Sequence, residues 1–410
     1  MLKQHAAEME RSMKERRIHT PEGVRDIYGN ECVRKNHLSE RMKNVLNSYG
    51  YRDIQTPTFE FFEIFTQDKG SLPSNQMYKF FDRDGNTLVL RPDITPSIAR
   101  AVSKYFSDET FSMRFSYTGN VFINNSSLQG RMKESTQMGA ELIGDDSVDA
   151  DAEMIALAIH MLLAAGLKEF QIDVGHVGFF KGLIKESGMD EDAEQELREL
   201  VENKNFFAVE ALTDNPALIQ LPRLFGSKEI LEEAKALTSN EEALSAISRL
   251  ERLYEIIDGY GLQKYVTFDL GMLSQYEYYT GVIFRGYTYG TGDAVVKGGR
   301  YDNLLQKFGK DAASVGLVVV VDELLIAMTR QKLLLHEEEA MIMVLYEDSR
   351  LIDALKKANA LRDKGARVQM NRKDNQMAMN DYVDYAKRFD IGTIYCFEEN
   401  GDVKFWEVNP

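Results

Sequence analysis

The chain has 410 residues, of which 44% are hydrophobic, and this length supports two or more folded cores. It carries 49 basic and 65 acidic residues, a formal net charge of -16, which opposes general binding to a polyanion such as RNA. The two cysteines, Cys32 and Cys396, lie far apart and form no metal-ligand spacing, and no run of about 18 apolar residues occurs. We therefore expect a cytoplasmic protein without a structural metal.

The first half of the chain predicts helices and an antiparallel hairpin. Residues 1–19 form a charged arm without the apolar core of a signal peptide. Apolar residues at helical spacing predict helices over 31–49 and 149–165, which end at Gly50 and Gly166. β-like segments occur at 78–81, 87–90, 111–122, 135–143 and 169–174. A polar loop joins the third of these segments to the fourth, which predicts a hairpin with a long tip.

The second half predicts an interruption of the sheet and a separate C-terminal domain. Charged helical sequence from about 179 to 262 predicts a helical insertion. Strand-like segments resume at 265–268, 282–289, 294–297 and 314–321. We expect them to complete one antiparallel sheet, so residues 20–335 form one large domain. The β-α-β-α-β order of residues 340–410 predicts a small α/β domain with parallel strands.

Four short segments resemble signature segments of class II histidyl-tRNA synthetases. They are Leu90-Arg91-Pro92-Asp93-Ile94-Thr95-Pro96, the spaced set Gln137, Gly139, Glu141 and Gly144, the run Tyr278-Tyr279-Thr280-Gly281, and Gly298-Gly299-Arg300-Tyr301-Asp302. The resemblance covers about residues 20 to 330 and is specific in combination. It implies an α+β fold: a class II aminoacyl-tRNA synthetase-like antiparallel sheet flanked by helices, with a helical insertion and a small C-terminal α/β module.

The resemblance also implies a histidine pocket. In that family an acidic residue, a threonine and a glutamine hold the α-amino group, and Asp93, Thr95 and Gln137 match those positions. A glutamate and tyrosines hold the imidazole ring, and the matching residues are Glu141, Tyr278, Tyr279 and Tyr301. These residue types suit the ligand, because an ammonium group needs acceptors and a ring N–H pairs well with a carboxylate. The alternative interpretation is that these polar groups satisfy one another in a vacated site.

Other positions depart from the family pattern. Three arginines that the family uses on ATP are predicted to be replaced here by Ile123, Ser274 and Glu323. Losing three charge-assisted contacts removes roughly 5 to 9 kcal/mol of ATP recognition. A carboxylate at position 323 adds about 4 kcal/mol of repulsion at about 4 Å from a phosphate, for an effective dielectric near 20. We therefore expect a protein that catalyses no adenylation.

A synthetase-like scaffold that keeps the histidine pocket is similar to the regulatory subunits of ATP phosphoribosyltransferase. That resemblance implies a non-catalytic partner of the short-form catalytic subunit, joined with it in a hetero-octamer. It implies activation of the first step of histidine biosynthesis and feedback inhibition by L-histidine, with no cofactor. Pro57 belongs to a segment that resembles the motif through which synthetases dimerise, so we expect it at a dimer interface.

Two other interpretations remain open from the sequence. A divergent synthetase-like enzyme would need Arg131, Lys133 or Arg300 to replace the missing contacts to ATP. A tRNA-binding sensor would keep shape recognition without catalysis, but the acidic balance of the chain makes tRNA an improbable partner.

Overall fold

The chain forms two compact units, residues 1–333 and 334–410. The computed structural model describes residues 18–66, 72–125, 131–273, 278–333, 340–374 and 376–408. Within these ranges no helix is both long enough and apolar enough to cross a membrane.

The larger unit is built on a nine-stranded sheet. In spatial order, with numbers in chain order, its strands are β1 (Arg52–Asp53), β5 (Met113–Phe122), β6 (Glu134–Ile143), β12 (Ser314–Val320), β11 (Val296–Arg300), β10 (Val282–Thr288), β7 (Phe170–His176), β9 (Val266–Asp269) and β8 (Phe225–Gly226). Neighbours are antiparallel except for β1 with β5 and β7 with β9. The predicted synthetase-like sheet and the β5–β6 hairpin are confirmed. The parallel β7–β9 pair follows from the insertion between them, since parallel neighbours need a long crossover connection.

Helices cover this sheet with apolar faces that the sequence predicts. They are α1 (Gly29–Ser48), α2 (Thr95–Tyr105), α3 (Val148–Ala165) and α10 (Val321–Arg330). Leu38, Met42 and Leu46 of α1 recur at helical spacing and are fully buried, and α1 packs against α3. Helix α3 ends at Gly166, whose φ of 107° lies in the left-handed region that favours glycine.

Six helices form the stretch between β7 and β9. They are α4 (Val177–Ser187), α5 (Glu191–Glu202), α6 (Phe206–Leu212), α7 (Pro216–Gln220), α8 (Glu229–Lys235) and α9 (Glu241–Gly259). The helical sequence from 228 to 257 is divided between α8 and α9. The division lies at Asn240, whose side chain accepts a hydrogen bond from the Ala243 N–H over 3.1 Å and caps the new helix. Helix α9 packs against α4 and α3, so this stretch is part of the larger unit.

A small antiparallel sheet follows β1 in the chain. Its strands, in spatial order, are β2 (Phe59–Phe61), β4 (Thr87–Leu90) and β3 (Lys79–Phe81). One side is closed by a cluster around Phe65, Met77 and Val89. The end of β4 leads directly into the segment that carries Asp93 and Thr95, so this sheet positions one wall of the site described below.

The C-terminal unit has a four-stranded sheet. Its order is β14 (Val368–Arg372), β13 (Met341–Tyr346), β15 (Ile391–Phe397) and β16 (Val403–Glu407), with helices α11 (Leu351–Arg362) and α12 (Met379–Arg388). The three strands that the sequence predicts are parallel, as expected. Strand β16 was not anticipated, because it is an exposed edge strand whose polar residues obscure the apolar pattern.

Candidate functional site

One face of the central sheet forms the floor of the candidate site. Because strand side chains alternate, Glu141 of β6, Gly316 of β12 and Gly299 of β11 share this face and lie in register. A Cβ atom at position 316 would overlap the Glu141 carboxylate, and one at position 299 would lie 2.7 Å from the Tyr279 ring. Glycine at these two positions therefore leaves room for the side chains that stand on the floor.

Glu141 is the centre of a buried hydrogen-bond network. Its side chain is 1% exposed, and the Thr95 hydroxyl donates to its Oε1 over 2.7 Å. The Tyr301 hydroxyl donates to its Oε2. Thr95 stands at the first turn of α2 and Tyr301 directly follows β11. Three residues of the predicted histidine pocket, distant in sequence, are thus brought into direct contact.

The protonation of Glu141 is set by this burial. Desolvation raises the pKa of its carboxyl group to about 8, and the charge of nearby Asp93 acts in the same direction. The hydroxyls of Tyr301 and Thr95 oppose the shift, because they hydrogen-bond to the ionised form. A carboxyl group with this pKa changes its charge readily when a cationic or hydrogen-bonding ligand approaches it.

This raised pKa predicts a pH-dependent stability. The folded protein holds the Glu141 proton more tightly than the unfolded chain, whose carboxyl has a pKa near 4.5. The stabilisation is therefore complete below about pH 4.5 and is lost as the pH rises through about 8. At about 1.4 kcal/mol per pKa unit, the loss is roughly 5 kcal/mol. Urea unfolding followed by circular dichroism at several pH values measures it. Glu141→Gln is expected to flatten the dependence, and an unchanged slope in that variant would contradict the assignment.

Asp93 and the tyrosines form a second group beside the first. Asp93 accepts hydrogen bonds from the Ile94 N–H over 2.7 Å and from the Tyr278 hydroxyl over 3.4 Å. Burial raises the pKa of Asp93. The Tyr278 ring lies 4.7 Å from the Tyr279 ring and 6.1 Å from the Tyr301 ring, measured between centroids. All the tyrosines predicted for the histidine pocket therefore line one region.

A cavity of about 350 Å³ adjoins these residues. Gln137 and Tyr279 line it, and so do Ile123 and Glu323, two positions at which we predict that an arginine has been lost. Glu323 accepts a hydrogen bond from the Thr291 hydroxyl over 2.9 Å. Three basic and two acidic side chains surround the space: Arg131, Arg285, Lys297, Asp293 and Glu323. Among the described residues, no group of three or more His, Cys, Asp or Glu side chains is placed to hold a metal ion.

The basic residues required by the enzymatic interpretation are mostly engaged elsewhere. Arg300 is 3% exposed and lies on the opposite face of β11, where its Nε donates to Asp151 over 2.8 Å. Lys133 does not line the cavity, and its side chain packs against Gly23. Arg131 does line the cavity, with its guanidinium 3.6 Å from the carboxylate of Asp293. Of these three residues, only Arg131 therefore lies at the cavity.

The remaining predicted positions lie away from the cavity or outside the described residues. Ser274, the third position of a predicted arginine loss, is outside the described residues. Pro57 is exposed, and its carbonyl accepts a hydrogen bond from Arg91 Nη1 over 3.2 Å. It directly precedes the small sheet. The register puts the exposed residues Phe59, Phe61 and Phe80 on one face of that sheet, which we call the aromatic face, and puts exposed Phe81 on the other.

Two residues of the site were missed in the sequence. Tyr117 of β5 is buried beside Gly139. A hydrogen bond from its side chain helps to stabilise the Glu141 carboxylate. Lys297 of β11 lines the cavity. Strand alternation could have indicated both, since Tyr117 pairs with Gly139 and Lys297 lies two residues before Gly299.

Comparison with known proteins first defines the class. Residues 23–324 match the family model described as histidyl-tRNA synthetase. A solved histidyl-tRNA synthetase from Nostoc has a TM-score of 0.77 over 95% of this chain and 97% of that one, but at 20% identity this likeness concerns the fold alone. The fold is thus that of a histidyl-tRNA synthetase-like protein.

More similar relatives narrow this class. The ATP phosphoribosyltransferase regulatory subunit of Acetivibrio thermocellus is 39% identical over 88% of each chain, and that of Ruminiclostridium cellulolyticum is 36% identical over 96% of this chain and 95% of its own. A solved ATP phosphoribosyltransferase regulatory subunit/histidyl-tRNA synthetase from Bacillus halodurans has 33% identity and a TM-score of 0.81, covering 90% of this chain and 96% of that one. The chain belongs to the family of ATP phosphoribosyltransferase regulatory subunits.

Proposed function

We propose that this chain is a non-catalytic, histidine-sensing regulatory subunit of ATP phosphoribosyltransferase. The observation that carries the proposal is the buried Thr95–Glu141–Tyr301 network beside a cavity of mixed charge. The network offers a carboxyl group and hydroxyls to an imidazole ring. The described residues that line the cavity include three basic and two acidic side chains, a smaller excess of cations than a nucleoside triphosphate requires.

Histidine suits the network for chemical reasons. A neutral imidazole has one N–H donor and one acceptor nitrogen, so it can exchange hydrogen bonds with Glu141 and a tyrosine hydroxyl. The α-amino group can meet Asp93 and the side-chain oxygen of Gln137, which is buried without a hydrogen-bond partner among the described residues. A buried acceptor without a hydrogen bond destabilises the folded state, and a hydrogen bond from an ammonium group would remove that penalty.

ATP does not suit the adjoining cavity. Glu323 and Asp293 place two carboxylates where a triphosphate would need cations. Each carboxylate would repel a phosphate by about 4 kcal/mol at about 4 Å, for an effective dielectric near 20. Transition-state stabilisation would suffer most, because cations act most strongly where charge develops. These charges support the proposal that the chain performs no adenylation.

The regulatory role requires a partner whose state depends on histidine. We propose that the chain joins the short-form catalytic subunit in a hetero-octamer and activates the first step of histidine biosynthesis. Histidine would then inhibit by binding the less active assembly more tightly, since a ligand shifts an equilibrium only by its differential affinity for the two states. Neither a cofactor nor tRNA takes part in this mechanism.

Thermal unfolding of the purified chain tests ligand binding and chemistry together. L-histidine is expected to raise the midpoint of the unfolding transition with a saturating concentration dependence, as a ligand that binds only the folded state does. Glycine serves as a control amino acid. ATP–pyrophosphate exchange in the presence of histidine is expected to be absent. Exchange above background would favour the synthetase-like enzyme, and no stabilisation by histidine would overturn the sensor.

We also propose that the aromatic face mediates self-association as a dimer. Phe61 is 52% exposed, and the Phe59 and Phe80 rings lie 5.8 Å apart on the same face of the small sheet. A cluster of exposed aromatic side chains of this kind marks an interaction surface.

Phe61→Glu is expected to weaken the dimer. Each copy loses the burial of a phenyl ring, about 2 kcal/mol, and in a symmetric interface the loss occurs twice. Light scattering coupled to size exclusion should show a shift from dimer to monomer at micromolar protein. Phe111→Glu is the matched control, because Phe111 is 80% exposed at a distant position. A dimer that survives the Phe61 change but not the Phe111 change would place the interface elsewhere.

A further inference from the structure

Among the described residues that line the cavity beside Glu141, one basic side chain makes no hydrogen bond or ion pair. The guanidinium of Arg131 lies 3.6 Å from the Asp293 carboxylate, and Arg285 donates to the Leu273 carbonyl over 2.7 Å. Lys297, by contrast, makes no hydrogen bond or ion pair in the part of the chain that the structure describes. Its ammonium group is therefore available to an anion that enters the cavity.

The strand register sets the distance between Lys297 and Glu141. Glu141, Gly316 and Gly299 are neighbours across three strands, and Lys297 precedes Gly299 by two residues on the same face. With strands about 4.8 Å apart and residues about 3.4 Å apart, the two Cα atoms are about 12 Å from each other. Between the two Cα atoms, the Glu141 carboxylate covers Gly316 and the Tyr279 ring covers Gly299. Tyr279 lines the cavity together with Lys297, so a ligand beside the Tyr279 ring would lie between Glu141 and Lys297.

Gln137 completes a pattern of three complementary groups. It stands on the same face of β6 as Glu141, four residues earlier, and its side-chain oxygen is buried without a partner among the described residues. Glu141 can receive a ring N–H, the Gln137 oxygen can receive an ammonium N–H, and Lys297 can donate to a carboxylate. These are the three polar groups of one histidine molecule.

We propose that Lys297 binds the α-carboxylate of histidine, and so makes the site specific for the free amino acid over analogues without that group. The inference rests on the proposed function, because it assigns an additional contact to the same ligand. The charges of the cavity support a single carboxylate rather than a phosphate chain. Three basic and two acidic side chains line the cavity. Their excess of one positive charge balances a single carboxylate but not the several charges of a phosphate chain.

Calorimetry with L-histidine and L-histidinol tests the assignment on the full chain. Histidinol keeps the ring and the ammonium group but has a hydroxymethyl group in place of the carboxylate. In Lys297→Met, which keeps the aliphatic stem, the dissociation constant for histidine is expected to rise about 10- to 100-fold, as for a lost charge-assisted contact. The constant for histidinol should change less than about twofold, and Lys297→Arg should retain most of the affinity for histidine.

The outcomes separate this inference from the proposed function. Lys168→Met is the matched control, because Lys168 is an exposed lysine outside the cavity. Equal losses for histidine and histidinol, or no loss for either, would overturn the role of Lys297 while leaving histidine sensing intact. A native chain that binds neither compound would overturn the proposed function itself.

Discussion

Replacing Glu141 with glutamine is expected to raise the histidine concentration for half-maximal inhibition of the assembled enzyme by about 100-fold. The carboxyl is 1% exposed and receives the hydroxyls of Thr95 and Tyr301. A donor on the bound imidazole favours the ionised form of this carboxyl group. A hydrogen bond to a charged acceptor contributes about 1.5 to 3 kcal/mol, more than the neutral oxygen of glutamine supplies. Glutamine keeps the size of the side chain, so the variant protein should remain folded. Inhibition curves of phosphoribosyl-ATP formation provide the measurement.

The control for this change is Glu233→Gln, on the exposed side of α8. It alters the same functional group far from any described site residue and should leave both activation and inhibition unchanged. Glu141→Gln should also leave activation by the chain intact at zero histidine. Undiminished inhibition in the Glu141 variant would mean that histidine acts at a different site, such as the interface between the subunits.

Asp151→Asn is expected to destabilise the larger unit by about 3 to 5 kcal/mol. Asp151 is fully buried in α3 and bridges Arg300 of β11, at 2.8 Å, and Arg249 of α9, at 2.6 Å. Removing one partner of a buried ion pair is strongly destabilising, and here it leaves the buried Arg300 with Asp302, at 3.1 Å, as its remaining carboxylate partner. Asparagine keeps the shape but not the charge. Strand β11 also carries Lys297 and leads into Tyr301. We therefore expect these two site residues to be held less rigidly in the variant.

Urea unfolding followed by circular dichroism measures this loss. Tryptophan fluorescence serves as an internal reference, since the sole tryptophan, Trp406, lies in the C-terminal unit. Asp149→Asn is the matched control, because Asp149 is an exposed residue in the first turn of α3. It should cost less than about 1 kcal/mol. Similar losses in the two variants would show that the ion-pair network adds nothing beyond a helix-terminal charge.

Much of the fold could be predicted from periodicity. The helical spacing of Leu38, Met42 and Leu46 and the alternation along β5 and β6 depend on local patterns, which the sequence contains directly. The parallel β7–β9 pair could not be foreseen, because pairing between strands so distant in sequence depends on how the intervening helices pack. Strand β16 escaped for a different reason: an exposed edge strand carries little apolar signal.

The candidate site, like the fold, could be predicted from the sequence only in part. The matches to synthetase segments indicated Thr95, Glu141 and Tyr301, and the structure brings them into contact. The segment that contains Arg300 was equally specific, yet its arginine faces Asp151 on the other side of the sheet. Motif identity does not report which face a side chain occupies. Lys297 was missed because only the folded chain shows that it makes no hydrogen bond or ion pair among the described residues.

The most direct test of the central proposal is phosphoribosyl-ATP formation from ATP and 5-phosphoribosyl pyrophosphate. The short-form catalytic subunit of the same organism is assayed alone, with this chain, and with this chain plus histidine. We expect low activity from the catalytic subunit alone, strong activation by the folded chain, and reversal of that activation by histidine. A catalytic subunit whose rate is the same with and without the folded chain would contradict the regulatory role.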